Sequence, residues 1–213
     1  MVRLQLAVDT LSLEEALDFL GEASAYIDIV EVGTPLLYRS GLKAVRRIRE
    51  AFPGLYILCD GKIMDAGAYE SREQFEAGAD CVSVLGVTDD ATIRECVKEA
   101  AKFGKEVSAD TICIPNLAER IGQLEDMGVD YISVHTGVDQ QARGRTPLDD
   151  LKEIKSCAER AGISVAGGIR LDTVEQYLAL EPDVIIVGGG ILGQQDPKAA
   201  ARAMREKMQQ FQR

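Results

Sequence analysis

Asp9, Glu31, Asp60, Asp110 and His135 each close a short run rich in branched apolar residues, and Lys62 and Asp65 follow Asp60 directly. A single ionisable residue at such a place reads as a turn or helix-cap residue, and Asp110, next to Thr111, fits that reading by itself. The set is another matter. Bringing these groups together in a protein interior costs several kcal/mol unless they pair, bind a metal or meet a substrate. His135 is the only histidine in the chain; an imidazole moves protons near neutral pH, which makes it the candidate acid–base group. Two glycine runs, Gly167-Gly168 and Gly188-Gly189-Gly190, follow the last two apolar runs. They read either as tight strand-to-helix turns or as backbone that a phosphate can approach closely.

For these residues to meet, the apolar runs must be strands of one sheet. Eight such runs are Leu4–Val8, Ile27–Glu31, Tyr56–Asp60, Cys81–Val84, Glu106–Asp110, Tyr131–His135, Ser164–Ala166 and Val184–Val187. Amphipathic stretches lie between them, among them Leu13–Ala23, Gly41–Ala51, Ala66–Ala77, Ala91–Phe103, Leu117–Met127 and Leu148–Ala161. Ser12 before Leu13-Glu14-Glu15 is a capping signal, and Pro147 suits a first helical turn. Gly54, Gly78, Gly104, Gly128 and Gly162 occupy helix-to-strand positions where a left-handed cap favours glycine. The segments EAGADCVSV, DMGVDYISV and LALEPDVIIV repeat one pattern: a helix end, a tight turn and a buried strand. Continuous apolar strands alternating with helices predict an α/β (β/α)₈ TIM barrel forming a single domain over 1–213, with a doubly wound open sheet as the alternative. In a barrel the strand C-termini carry the chemistry, and the loops after strands seven and eight often hold phosphate. No GxGxxG follows the first strand, which disfavours a dinucleotide fold.

Composition narrows the partners. The chain has 213 residues, 46% of them hydrophobic, and 35 acidic against 24 basic residues give a formal charge of −11. That balance argues against nonspecific nucleic-acid binding and leaves room for a small anionic substrate held by local amides and cations. The N-terminus reads as a strand, no apolar run is long enough to span a membrane, and the expectation is a soluble, cytoplasmic protein. Cys59, Cys81, Cys96, Cys113 and Cys157 are dispersed and odd in number, as expected of reduced packing thiols.

Asp60-Gly61-Lys62-Ile63-Met64-Asp65 matches DxKxxD, and LQLAVD, YIDIVEVGTP, GADCVSVLG, GVDYISVHTG, VAGGI and VIIVGGGI occur in order along nearly the whole chain. With these motifs the sequence resembles the orotidine-monophosphate decarboxylase suprafamily. Within it the chain looks most like the 3-hexulose-6-phosphate synthases, with the 3-keto-L-gulonate-6-phosphate decarboxylases as near relatives. The resemblance implies a homodimer with shared active sites, in which Asp65 reaches the partner's site. It implies Mg²⁺, or Mn²⁺ in its place, held through Glu31 and Asp60, with Asp9 and Lys62 lining the sugar. It also implies His135 near the reacting carbons and phosphate on the amides around Gly168, Gly189 and Gly190. Carboxylates from adjacent strands suit a hard divalent cation, which acts as a Lewis acid on a developing enediolate. The expected reaction is a reversible aldol condensation of formaldehyde with D-ribulose 5-phosphate.

Three other readings stand beside it. Orotidine-monophosphate decarboxylases carry a lysine on strand two, where this chain has Glu31. Keto-gulonate-phosphate decarboxylases tend to carry an arginine after the strand-six histidine, where this chain reads HTGVDQQARGR, with Arg143 and Arg145 further along. A non-catalytic sugar-phosphate-binding barrel is the reading from another class. One residue departs from the family pattern: Gly61 replaces a bulky apolar residue between the aspartate and lysine of the motif, which loosens the strand end unless another side chain fills the space. ICIPN (112–116) has no assigned role beyond a turn into the next helix.

Overall fold

In the computed structural model, which describes residues 1–211, the apolar runs form eight parallel strands closed into a barrel in sequence order. They are β1 (Arg3–Val8), β2 (Ile29–Val32), β3 (Tyr56–Ile63), β4 (Cys81–Leu85), β5 (Glu106–Asp110), β6 (Tyr131–His135), β7 (Gly162–Ala166) and β8 (Val184–Val187). The helices are α1 (Leu13–Ala23), α2 (Thr34–Ser40), α3 (Lys43–Ala51), α4 (Gly67–Glu76), α5 (Asp90–Phe103), α6 (Leu117–Met127), α7 (Val138–Gln141), α8 (Leu148–Cys157), α9 (Val174–Leu178), α10 (Gly189–Leu192) and α11 (Pro197–Phe211). The outer faces of the strands, such as Leu4, Leu6 and Val8, join the helices in one continuous core. No helix among the described residues is long and apolar enough to cross a membrane.

The Ser12 cap forms: its hydroxyl accepts the Glu15 N–H, and the Glu15 carboxylate accepts the Ser12 N–H at 2.8 Å. Gly104 and Gly128 end α5 and α6 in the left-handed region. Gly162 does not cap a helix: it opens β7, and a Cβ there would strike the Tyr131 ring. The helix expected from Gly41 starts at Lys43, because Gly41 (φ 58°) separates it from the additional helix α2. β3 runs beyond Asp60 to Ile63 through a register shift against β4, which carries Lys62 at φ 48°.

The N-terminal rim is closed by a repeated device. Asp28, Asp80, Asp130 and Asp183 each stand just before an even-numbered strand, and their carboxylates accept the N–H of Leu4, Ile57, Val107 and Ile163 at 2.7, 2.9, 2.8 and 2.7 Å. Each aspartate returns its own N–H to the carbonyl of that same residue. A carboxylate that accepts a backbone N–H latches two strands at an end where the ladder alone leaves donors unpaired. Inside the rim, the Arg3 guanidinium lies 5.6 and 5.3 Å from the ring centres of Tyr56 and Tyr131, a cationic plug between two aromatic faces.

Asp80 is the most heavily loaded latch, since Arg49 and Lys105 also pair with it. Burial opposes its charge, but Lys105, the Ile57 N–H and Arg49 outweigh burial and hold its carboxyl below the usual range. A depressed folded-state value gives stability that is complete at neutral pH and is lost as pH falls from the ordinary carboxylate value through the folded one. Asp80→Asn therefore lowers unfolding free energy at pH 7 by about 2–3 kcal/mol. Urea titration should record that loss at pH 7, and the gap from the parent should narrow in acid.

Higher in the barrel, the inward positions of β4–β7 carry Ser83, Ser108, Ser133 and Ser164. Ser83 pairs with Ser108 and Ser133 with Ser164 across the strands. Barrel layers are usually filled by Val, Ile and Leu. Four serines instead leave the C-terminal half hollow.

Candidate active site

The strand C-termini open into a cavity of about 1140 Å³. Asp9, Glu31, Asp60, Lys62, Asp110, His135, Gly168, Gly189 and Gly190 all line it. Asp65 does not; it is exposed, and its carboxylate accepts the Ala66 N–H at 2.7 Å.

Asp60 is the hub. Its carboxylate accepts the Ser83 hydroxyl at 2.7 Å and the Thr34 hydroxyl at 2.9 Å, and it pairs with the Lys62 ammonium. Burial alone would raise its pKa, but Lys62, Ser83 and Thr34 overcome that and hold Asp60 below the usual range. Lys62 is likewise buried against its charge, yet Asp60 and Asp110, the latter at 3.8 Å, keep its pKa raised. The backbone bend at Lys62 is fixed by its own N–H, which donates to the Ser83 hydroxyl at 2.9 Å. One serine thus holds both ends of the ion pair.

Glu31 faces Asp60 from the adjacent strand and accepts the Gln5 amide at 2.7 Å. Burial and the Asp60 charge push its carboxyl up to about 8. Asp9 is also raised, by burial and then by Asp60. Gly33 is required beside it, since a Cβ there would collide with the Asp9 carboxylate. Lys62 acts on all three carboxyls, and Arg39, whose guanidinium donates to the Asp9 carbonyl, also lines this end of the cavity. Glu31 and Asp60 offer two hard oxygen donors that a divalent cation would fit, with water and substrate oxygens supplying the rest of its shell. Among the described residues no group of three or more His, Cys, Asp or Glu side chains forms a metal cage.

On the opposite wall, His135 Nδ1 lies 2.8 Å from the buried Asp110 carboxylate. With Nδ1–H donated there, Nε2 is the nitrogen free to accept a proton. Asp110 is also the turn residue it resembled: its other oxygen accepts the Ile112 N–H at 2.8 Å.

At the far end, Gly168 adopts φ 67°, and Gly190 has no room for a Cβ against the Ile169 carbonyl. The first-turn amides of α10 need no partner inside that helix. Arg170 lines the same end of the cavity, its guanidinium resting on exposed Asp172 at 3.1 Å.

Residues 2–204 match the family model described as orotidine 5'-phosphate decarboxylase / HUMPS family. The chain belongs to the orotidine 5'-phosphate decarboxylase / HUMPS family. A family relative from Bacillus subtilis, 3-hexulose-6-phosphate synthase, is 45% identical over 205 residues, covering 96% of this chain and 98% of its own. The crystal structure of the Salmonella typhimurium 3-hexulose-6-phosphate synthase superposes with a TM-score of 0.96 at 47% identity, covering 99% of this chain and all of that one. A second family structure, the 3-keto-L-gulonate-6-phosphate decarboxylase of Vibrio cholerae, gives 0.83 at 28% identity, covering 99% and 98%.

Glycine at position 61 is matched by its surroundings. The Gln74 amide from α4 fills the space that a side chain at Gly61 would take, and a Cβ there would overlap it. Gln74 is buried, and its Oε1 has no hydrogen-bond partner among the described residues. Gly61→Val should therefore cost about 1–3 kcal/mol by overpacking and displace neighbouring Lys62. Adding Gln74→Ala should recover most of the loss, which thermal melts of the two variants would reveal.

Sequence reasoning singled out neither Ser83, Thr34, Gln5 and Gln74 nor the contact between Asp110 and His135. Strand alternation was the one signal for Ser83 and Gln5, which stand at the same parity as the site residues.

Proposed function

We propose that this protein is a Mg²⁺-dependent 3-hexulose-6-phosphate synthase, condensing formaldehyde with D-ribulose 5-phosphate. The observation that carries the reading is the pairing, across one cavity, of an oriented imidazole (His135 on Asp110) with the Glu31–Asp60–Lys62 carboxylate and ammonium cluster. The full-length similarity to synthases supports the same reading.

In this reading the amides of Gly168, Gly189 and Gly190 bind the phosphate, while Asp9 and Lys62 orient the sugar hydroxyls. His135 Nε2 takes a proton from C1, leaving a 1,2-enediolate whose oxygen charge faces the Lys62 ammonium. Mg²⁺, or Mn²⁺, held by Glu31 and Asp60 would supply Lewis-acid polarisation of the ketone. Asp110 keeps the imidazole turned toward the substrate.

Asp65 does not line its own cavity; Met64 beside it in the chain, Tyr69 and, on α2, Tyr38 are exposed. Exposed large apolar side chains, together with an acid of the DxKxxD motif that does not line its own cavity, support a homodimer in which Asp65 completes the partner's site. The free cysteines agree with a reducing, cytoplasmic setting. The decarboxylase reading asks for an arginine shortly after the strand-six histidine, whereas the arginines that line the cavity among the described residues are Arg39 on α2 and Arg170 after β7. Neither Arg143 nor Arg145 lines the cavity, and Arg145 pairs with Asp150 at 2.9 Å. Orotidine-phosphate chemistry is disfavoured by Glu31 where a lysine belongs.

The deciding assay mixes protein, D-ribulose 5-phosphate and Mg²⁺ with formaldehyde and follows formaldehyde loss, with EDTA in a parallel tube. Consumption abolished by EDTA is the expected result. No consumption by folded protein would sink the reading and turn attention to keto-gulonate phosphate and released carbon dioxide.

A further inference from the structure

The serine layer leaves space directly beneath the reacting groups. Ser108 stands two residues before Asp110 on β5, and Ser133 two before His135 on β6. Residues i and i+2 of a strand share a face, so each hydroxyl sits one layer below, about 6–7 Å deeper along the strand. Both line the cavity, and Ser108 is almost fully buried. Ser83 is committed to Asp60 and Lys62, whereas no hydrogen bond from Ser108 or Ser133 to another protein group is found among the described residues. Across the recess stand Ala7, Leu58 and Ile186. One wall can donate hydrogen bonds; the other is mostly apolar, with Glu31 in register between Ala7 and Leu58 and tied to Gln5.

Two hydroxyls free to donate among the described residues, facing the largely apolar Ala7, Leu58 and Ile186, suit the oxygen of a small neutral carbonyl compound.

We propose that Ser108 and Ser133 bind formaldehyde, their hydroxyls donating to its oxygen so that its carbon faces C1 of the sugar. The assignment rests on the synthase reading. In the step it serves, the electron pair at C1 of the enediolate forms the new bond to the formaldehyde carbon. The carbonyl π pair moves onto the formaldehyde oxygen, and C2 returns to a ketone. That oxygen takes the proton His135 removed from C1, so the two reactants sum to the product with nothing left over. The serine hydroxyls stabilise the oxygen as its charge develops.

The test uses Ser108→Ala, Ser133→Ala and the double variant, with Ser108→Val as a variant that fills the recess; circular dichroism verifies the fold of each. Two reactions are followed: formaldehyde condensation, and exchange of the C1 proton with solvent in formaldehyde's absence. Loss of one hydroxyl should raise KM for formaldehyde by about five- to tenfold. KM for ribulose 5-phosphate should move far less, and exchange should continue. Ser108→Val should block condensation more strongly than exchange. Unchanged KM for formaldehyde in the folded double variant overturns the assignment, as does loss of exchange in parallel with condensation. Wild-type protein that neither exchanges nor condenses overturns the synthase reading, and the recess with it.

Discussion

Asp60→Asn lowers kcat by about a thousandfold, the range expected when a preorganised charge is removed from an active site. The substitution keeps shape and volume, so the fold stays. It places a neutral amide where a carboxylate accepts from Ser83, Thr34 and Lys62 at once. Lys62 is left with Asp110 at 3.8 Å as its nearest anion, and its ammonium swings toward β5. Glu31 loses the neighbouring charge that, after burial, does most to raise its pKa, so its carboxyl titrates lower. Steady-state kinetics against Mg²⁺ concentration would record the expected pattern: a collapse in kcat together with a weakened response to metal. An Asp60→Asn enzyme with near-parental kcat would remove Asp60 from the centre of the site.

The second large effect belongs to His135. His135→Gln should slow exchange of the C1 proton by between about 10² and 10⁴, the span attributed to a positioned general base. Binding of ribulose 5-phosphate should change little, because the phosphate end lies on other strands. Asp110→Asn should follow it. The carboxylate that now takes Nδ1–H at 2.8 Å would become an amide able to donate instead, and the imidazole would be free to settle with its proton toward the substrate. Proton NMR in heavy water follows exchange directly. Parental exchange in His135→Gln would show that another group removes the proton.

Much of this was legible in the chain, and the reasons differ by element. β5, β6 and β8 run where the apolar segments placed them, because parallel strands covered by helices read as unbroken hydrophobic runs. β3 was read short. Gly61 interrupts its apolar pattern, and the strand continues only because a register shift against β4 lets Lys62 take a left-handed bend. That shift is a non-local event with no local sequence signature. Asp110 was half legible: its turn contact is two residues away, whereas its contact with His135 crosses from β5 to β6. Gln74 comes from a helix and Ser83 from a strand, and neither residue type advertises the partner that folding brings to it. Three of the four latching aspartates, Asp80, Asp130 and Asp183, by contrast, stood inside the repeated helix-to-strand segments all along. Their regularity was visible as a pattern before its purpose was.

Those four latches also bear on how such a molecule can change over evolutionary time. Asp28, Asp80, Asp130 and Asp183 join β1 to β2, β3 to β4, β5 to β6 and β7 to β8, so closure is repeated quarter by quarter. All four act at the N-terminal rim, while the residues that line the cavity lie at or toward the opposite end of the same strands. A substitution at Glu31, Ser108 or His135 leaves the latches untouched. Shape is inherited at one mouth of the barrel and chemistry is free to drift at the other, which makes new specificities on this scaffold a matter of a few side chains.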